Sequence, residues 1–89
     1  MATEQQRKEK EQYDARTFPE IYMSLSRIQQ SELRDNIIRL TGASRVAVYF
    51  WSIGRTIPQR SADRQAVSES IKKVLHIMVP PHILFNIKK

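Results

Sequence analysis

Residues able to carry acid–base or metal chemistry are few in this sequence, and they are not grouped. The two histidines, His76 and His82, lie on either side of a proline pair with no acid close to them in the chain, and there is no cysteine. An enzyme site requires convergent polar groups, and a metal site requires several ligands at regular spacing. Gly42 and Gly54 are the only glycines, which excludes a glycine-rich phosphate loop. The pattern therefore predicts no catalysis, no metal site and no cofactor.

Positive charge is the more informative feature, because it is concentrated in one part of the chain. The net charge is +6, yet up to Glu20 there are four basic residues against five acidic ones, and thereafter eleven against four. No acid occurs between Asp35 and Asp63, a stretch that contains Arg39, Arg45, Arg55 and Arg60. A basic stripe of this kind suits a polyanion, either nucleic acid or an anionic membrane surface. A solvated basic face without a partner has the same composition.

The size and hydropathy of the chain favour one domain in water. Its 89 residues, 40% of them hydrophobic, are enough for a modest core. The first ten residues are charged without an apolar stretch, unlike a secretory signal. The longest apolar stretches, 46–51 and 77–85, are shorter than the roughly 20 residues of a membrane helix. We expect a cytoplasmic protein without membrane contact.

The apolar pattern predicts an all-α domain over residues 17–86, a small bundle of four to five helices. A mobile polar arm, 1–16, precedes it, because this segment offers little apolar surface beyond Tyr13. A short basic tail, 87–89, follows it.

Capping residues mark the starts of the first two helices. Thr17 precedes apolar side chains that recur at helical spacing from Phe18 to Leu25, with a proline in the first turn. Ser26 and Gln29 fit a capping box. The helix that follows runs to about residue 41 and has an apolar stripe of Leu33, Ile37, Ile38 and Leu40.

A tight turn joins the second helix to a third. Gly42 is suited to the left-handed conformation after a helix, and Ser44 is suited to cap the next one. Residues 45–53 are rich in types that favour strands, but the cap before them and Gly54 after them favour a helix, and no comparable second strand exists to pair with them.

The end of the chain predicts one more long helix and a short turn. Ser61 precedes a helical pattern over 64–75. The proline pair then forces an extended segment. Residues 82–86 are expected to form one turn that packs Ile83, Leu84 or Phe85 on the core.

The segment 33–58 resembles the helix-turn-helix of the Cro/phage-repressor-like family, often called XRE-type. Ile38 stands four residues before the turn Gly42, and Val48 and Trp51 follow at the family's core spacing. The family closes the third helix with a glycine and a basic loop that ends in proline. The segment Gly54-Arg55-Thr56-Ile57-Pro58 of this chain is similar to that loop. The resemblance covers about residues 18–75, with the motif at about 29–54, and implies a lambda-repressor-like fold.

The resemblance implies sequence-specific binding to double-stranded DNA, with the helix 45–53 in the major groove, by a nucleoid-associated transcriptional regulator that dimerises on two half-sites. The family's base-contacting positions fall here on Ser44, Arg45, Val46, Tyr49 and Phe50. Arg45 is suited to the O6 and N7 atoms of guanine or to a phosphate. The expected phosphate contacts are Arg39, Arg55 and Arg60.

The sequence departs from the family in its aromatic outward positions. Tyr49 and Phe50 are therefore also expected to pack on the first helix, through Phe18 or Tyr22, or to form a protein interface. For Phe50 packing is the favoured interpretation, and Trp51 is expected in the core. The alternatives to DNA binding are a helical protein-interaction adaptor that uses the Tyr49 and Phe50 face, and RNA binding through the same basic surface.

Overall fold

The chain folds into five helices and one pair of two-residue strands in a computed structural model that describes residues 12–87. The elements, in chain order, are β1 (Gln12–Tyr13), α1 (Phe18–Met23), α2 (Arg27–Thr41), α3 (Arg45–Ser52), α4 (Ser61–Leu75), β2 (Ile77–Met78) and α5 (Pro81–Leu84). The prediction of a small all-α bundle of four to five helices is confirmed.

The predicted caps position the first two helices. The backbone N–H of Thr17 donates to Glu20 Oε1 at 2.8 Å, which closes the start of α1. At the start of α2, the N–H of Gln29 donates to Ser26 Oγ at 3.2 Å, and the N–H of Ser26 donates to Gln29 Oε1 at 3.2 Å. This reciprocal pair satisfies N–H groups that the first turn leaves without helical partners.

The turn between α2 and α3 has the predicted construction. Gly42 adopts φ = 74°, a left-handed conformation that costs glycine little, and its N–H donates to Ile38 O at 2.8 Å. Ser44 then caps α3, because its Oγ accepts the N–H of Ala47 at 3.1 Å. The prediction of a helix here, against the strand preference of its residues, is confirmed. The helix ends at Ser52, one residue earlier than expected.

The core lies where the five helices meet. Each helix contributes at least one buried apolar side chain, and Val79 adds one from the segment before α5. Phe18 of α1 is fully buried and makes edge-to-face contacts with Tyr22 and with Phe85, at centroid distances of 5.8 and 5.9 Å. The buried apolar set is Phe18, Ile21, Leu33, Ile37, Val48, Trp51, Val67, Ile71, Val79, Leu84 and Phe85.

One local prediction was wrong. Leu40 was expected in the apolar stripe of α2, but it is 53% exposed. It lies in the last turn of α2, which ends at Thr41, so the helical period alone did not decide its burial. The helix predicted from Ser61 spans Ser61–Leu75, with Arg60 at the cap position.

The strand pair was not expected, and it includes part of the predicted arm, 1–16. Gln12–Tyr13 pairs in parallel with Ile77–Met78, and the N–H of Asp14 donates to Met78 O at 3.0 Å. The pairing is made by backbone groups, which every residue type carries, so composition did not reveal it. Residues 1–11 of the arm, and residues 88–89 of the predicted tail, lie outside the described residues.

Within residues 12–87, none of the helices has the length and apolar character needed to cross a membrane.

Candidate nucleic-acid interface

The two sides of α3 differ in burial as the sequence predicts. Val48 and Trp51 point into the core, with 0% and 7% of their surface exposed. On the opposite side, Val46 and Tyr49 are 61% and 56% exposed, and Ile53, directly after the helix, is 44% exposed. The helix is therefore held by one stripe and presents the other to its surroundings.

Three of the five predicted base-contacting residues lie together. Arg45, Val46 and Tyr49 line one shallow depression, and Tyr22 of α1 and Arg34 of α2 complete its wall. Ser44 stands at the start of the same face, but its Oγ is already an acceptor for the N–H of Ala47. In a complex its hydroxyl hydrogen remains the group with which it can donate to an acceptor.

Phe50, the fifth residue of that set, has a different environment. Its ring is half-buried, and its centroid lies 5.9 Å from that of Tyr49. The Arg55 guanidinium carbon lies 5.4 Å from the Phe50 centroid, and the N–H of Arg55 donates to Phe50 O at 2.9 Å. This is a cation–π contact reinforced by a backbone hydrogen bond, so Phe50 supports Arg55 within the fold.

Of the two aromatic residues expected to pack on α1, Tyr49 lies beside α1 at the depression. Tyr49 shares the depression with Tyr22, while more than half of its surface stays exposed. Phe18, the other expected contact, makes its edge-to-face contacts with Tyr22 and Phe85.

The three predicted phosphate contacts are not equivalent. Arg55 lies in the loop after α3, following Ile53 and Gly54, and is exposed beside the Phe50 ring. Arg39 donates to the side-chain oxygen of Asn36 and lines a groove between α2 and α4 that also contains Lys73. Arg60 is paired with Asp63, with its Nε 3.2 Å from Oδ2. The structure thus places Arg55 beside Phe50 of α3, while Arg39 has a partner within α2 and Arg60 has one in the first turn of α4.

The loop after α3 is fixed at both of its ends. Gly54 has φ = 80°, and a Cβ there would lie 3.2 Å from Pro19 Cγ, so the close approach to α1 adds to the conformational demand for glycine. At the other end, Arg64 Nη1 donates to the carbonyl oxygens of Pro58 and Gln59, both at 2.9 Å. Arg64 therefore holds the loop through one of its guanidinium nitrogens.

Helix starts readily hold phosphate, so the sequence also predicts a phosphate site at the start of α2, through the N–H groups of Gln29 and Gln30. Both groups are already donors within the cap, to Ser26 Oγ at 3.2 Å and to Ser26 O at 2.9 Å. An anion would have to displace these bonds, so this expectation is not supported at those two residues.

Arg34 is the residue of this surface that the sequence reasoning missed. It lies in α2, within the predicted motif but at none of the positions from which contacts were inferred, and its side chain reaches the depression beside Arg45. A signal for it exists in the helical period, since Arg34 is four residues from the partly buried Gln30 and Ile38 and shares their side of the helix.

Tyr22 is fixed in place at the depression by two hydrogen bonds. Its hydroxyl donates to Gln30 O at 3.3 Å, and Gln30 Nε2 donates to Tyr22 O at 2.8 Å. Burial raises the pKa of the Tyr22 hydroxyl, while the charge of Arg34 acts in the opposite direction.

Among residues 12–87 no group of three or more histidine or acidic side chains is arranged to hold a metal ion. No family model matches the sequence, and comparisons with curated proteins and with solved structures find no similar protein.

Proposed function

We propose that this chain binds double-stranded DNA sequence-specifically and acts as a small transcriptional regulator, with α3 in the major groove. The observation that supports this best is the exposed face of α3, which carries Arg45, Val46 and Tyr49 and belongs to a stretch without acids from Asn36 to Ala62. A helix enters the major groove when one stripe of side chains packs it on the core and its first turns expose the opposite stripe to the bases. The resemblance to XRE-type proteins is part of this proposal.

The roles follow from the chemistry of each side chain. Arg45 pairs with the O6 and N7 atoms of guanine or with a backbone phosphate, and Val46 contacts a thymine methyl group. The Tyr49 hydroxyl reaches a base edge or phosphate, and the Ser44 hydroxyl donates to a phosphate at the start of the helix. Arg55, supported by Phe50, neutralises a phosphate beside the other end of α3. The protein acts in the cytoplasm, on the nucleoid, as a homodimer on two half-sites about one helical turn apart.

Selection from random duplexes at two salt concentrations tests this proposal. The wild-type chain should enrich a defined sequence, with affinity that falls as salt rises. Arg45→Ala should relax the preference at one base position, at a cost of about 1 to 3 kcal/mol of discrimination, if Arg45 reads guanine, and should weaken binding to all duplexes alike if it contacts a phosphate. Lys72→Ala, which removes a charge from the last turn of α4, is the matched control and should leave the preference unchanged. Equal retention of every duplex by the wild type would refute sequence-specific binding.

A protein-interaction adaptor is the second candidate, because the same face is largely apolar. Val46, Tyr49 and Ile53 are each exposed by more than two fifths, and neighbouring exposed apolar side chains commonly mark an interface. Failure to retain any duplex in low salt would favour this candidate. Retention of single strands in preference to duplex would favour RNA binding instead.

A further inference from the structure

We propose that the depression lined by Tyr22, Arg34, Arg45, Val46 and Tyr49 binds one backbone phosphate of DNA, with Arg34 and Arg45 as its two cationic groups. This inference rests on the proposed function and deepens it. It assigns a phosphate contact to Arg34 of α2. It also assigns Arg45 to a phosphate, where the chemistry of arginine alone allows either a phosphate or a base.

The charge in the depression favours an anion. Two guanidinium groups, from different helices, line one small surface, and no acidic residue is among the five that line it. Guanidinium groups bind phosphate oxygens through paired N–H donors, which gives both strength and orientation. Two such groups that approach from two elements can hold one phosphate from two sides.

Arg34 is partly preorganised for this role. Its side chain is only 28% exposed, and its Nη2 donates to Ser31 Oγ at 3.2 Å. Asp35 is its weak competitor, since the Nε of Arg34 lies 3.5 Å from Asp35 Oδ1, and the Asp35 side chain is 68% exposed. An exposed ion pair of this length contributes little, so a phosphate can replace the carboxylate at small cost.

The aromatic walls restrict what else can bind. Tyr22 is anchored through Gln30, so its ring forms a fixed side of the depression. Tyr49 stands on the exposed side, where its hydroxyl can add a third donor to the phosphate. The site therefore combines two cations and one neutral donor beside the helix that enters the groove, and a phosphate at the edge of that groove fits this chemistry.

Duplex binding by Arg34→Gln tests the site, with Lys72→Gln as the control for the loss of one positive charge. The Arg34 variant should lose roughly tenfold in affinity for selected and unselected duplexes alike. The slope of log affinity against log salt concentration should fall by about one, the value for one lost phosphate contact. Asp35→Asn should change affinity in the opposite direction, because it removes the competing carboxylate. Equal behaviour of the Arg34 and Lys72 variants would overturn the site while leaving DNA binding intact.

Nuclear magnetic resonance on the chain without duplex separates this inference from the proposed function. Dithymidine monophosphate, which carries a single phosphodiester, should shift the Arg34 Nε–H signal and the ring signals of Tyr22 and Tyr49, and Arg34→Gln should abolish the ring shifts. Inorganic phosphate is the second arm, and shifts of equal size with it would identify a general anion site. If the dinucleotide shifts these signals but no duplex binds, the phosphate site stands and the DNA function fails. If neither probe shifts them, the site is overturned.

Discussion

The ring of Phe50 determines where the Arg55 guanidinium lies, and this can be tested at the level of one side chain. Phe50→Leu keeps an apolar group in the half-buried position but removes the aromatic face that lies 5.4 Å from the cation. An exposed cation–π contact contributes about 0.5 to 1 kcal/mol, so we expect duplex affinity to fall roughly two- to fivefold. In the free protein, the Arg55 side-chain proton signals should lose their ring-current shift. Isothermal titration and proton spectra measure the two effects.

Phe50→Tyr and Arg55→Gln are the controls for that prediction. The tyrosine variant retains the aromatic face and should keep both the ring-current shift and the affinity. In an Arg55→Gln background, Phe50→Leu should cost almost nothing further, because the supported group is already gone. A full loss in that background would mean that Phe50 contacts DNA itself.

The burial of side chains on α3 was predictable where the helical period alone decides which side of the helix a residue occupies. The period placed Val48 and Trp51 inward and Val46 and Tyr49 outward, and burial agrees. It did not reveal that Phe50 supports Arg55, because that contact depends on how the loop turns at Gly54. Arg34 was missed for a related reason, since its place beside α3 depends on how α2 packs.

At the start of α3, substitutions of Ser44 can separate the stability of the fold from the affinity for DNA. Ser44→Ala removes the acceptor for the N–H of Ala47, at a cost of about 1 kcal/mol in the free energy of unfolding. Ser44→Asp restores the cap, and its charge suits the helix N-terminus, so stability should return to near the wild-type value. The same carboxylate would face a phosphate backbone, so duplex affinity should fall well below that of the alanine variant. Urea denaturation and duplex titration give the two quantities.

Recovery of both stability and DNA affinity in Ser44→Asp would contradict the placement of this turn at a polyanion. Hydrogen exchange at the Ala47 amide supplies a local check. It should quicken in the alanine variant and slow again in the aspartate variant, whether or not DNA binds.

The helices were predictable because their signals are local. Ser26, Gly42 and Ser44 are caps whose partners lie within four residues, and the structure shows each bond that they imply. The strand pair is different, since it joins residue 12 to residue 77 and has no local signal in either segment. The same applies to the buried bond between Asn36 Nδ2 and Ser70 Oγ, 3.0 Å long, which ties α2 to α4.

At the scale of the whole molecule, the segment before α1 joins the two ends of the fold. Asp14 donates its N–H to Met78 O, and its carboxylate accepts from Arg16 at 2.8 Å. Arg16 Nη1 in turn donates to Ser24 Oγ at 3.3 Å, at the end of α1. This chain of contacts connects β2, β1 and α1, so the protonation of one carboxylate is coupled to the docking of the described N-terminal residues.

The pH dependence of unfolding follows from the shifted pKa values of Asp14 and Tyr22, since the third described group with a shifted pKa, the Arg16 guanidinium, stays charged in proteins. The hydrogen-bonded guanidinium of Arg16 holds the pKa of Asp14 below its ordinary value, so its contribution is complete above about 3.9 and is lost as pH falls through the lowered value. Burial raises the pKa of Tyr22, so its contribution is complete below about 10 and is lost as pH rises through the raised value. We therefore expect a plateau of stability between these limits, which denaturation followed by Trp51 fluorescence measures.

Asp14→Asn isolates the acid side of that plateau. At neutral pH the variant should be less stable by about 0.5 kcal/mol, the scale of a partly exposed ion pair, and the difference should vanish as the wild-type carboxylate becomes protonated. Arg16→Gln should produce the same loss, and the double variant should lose little more, because both substitutions remove one interaction. No difference at neutral pH would show that Asp14 contributes through its backbone bond to Met78 alone, since the variant keeps that N–H. The acid limb of stability would then belong to the helical bundle and not to the strand pair.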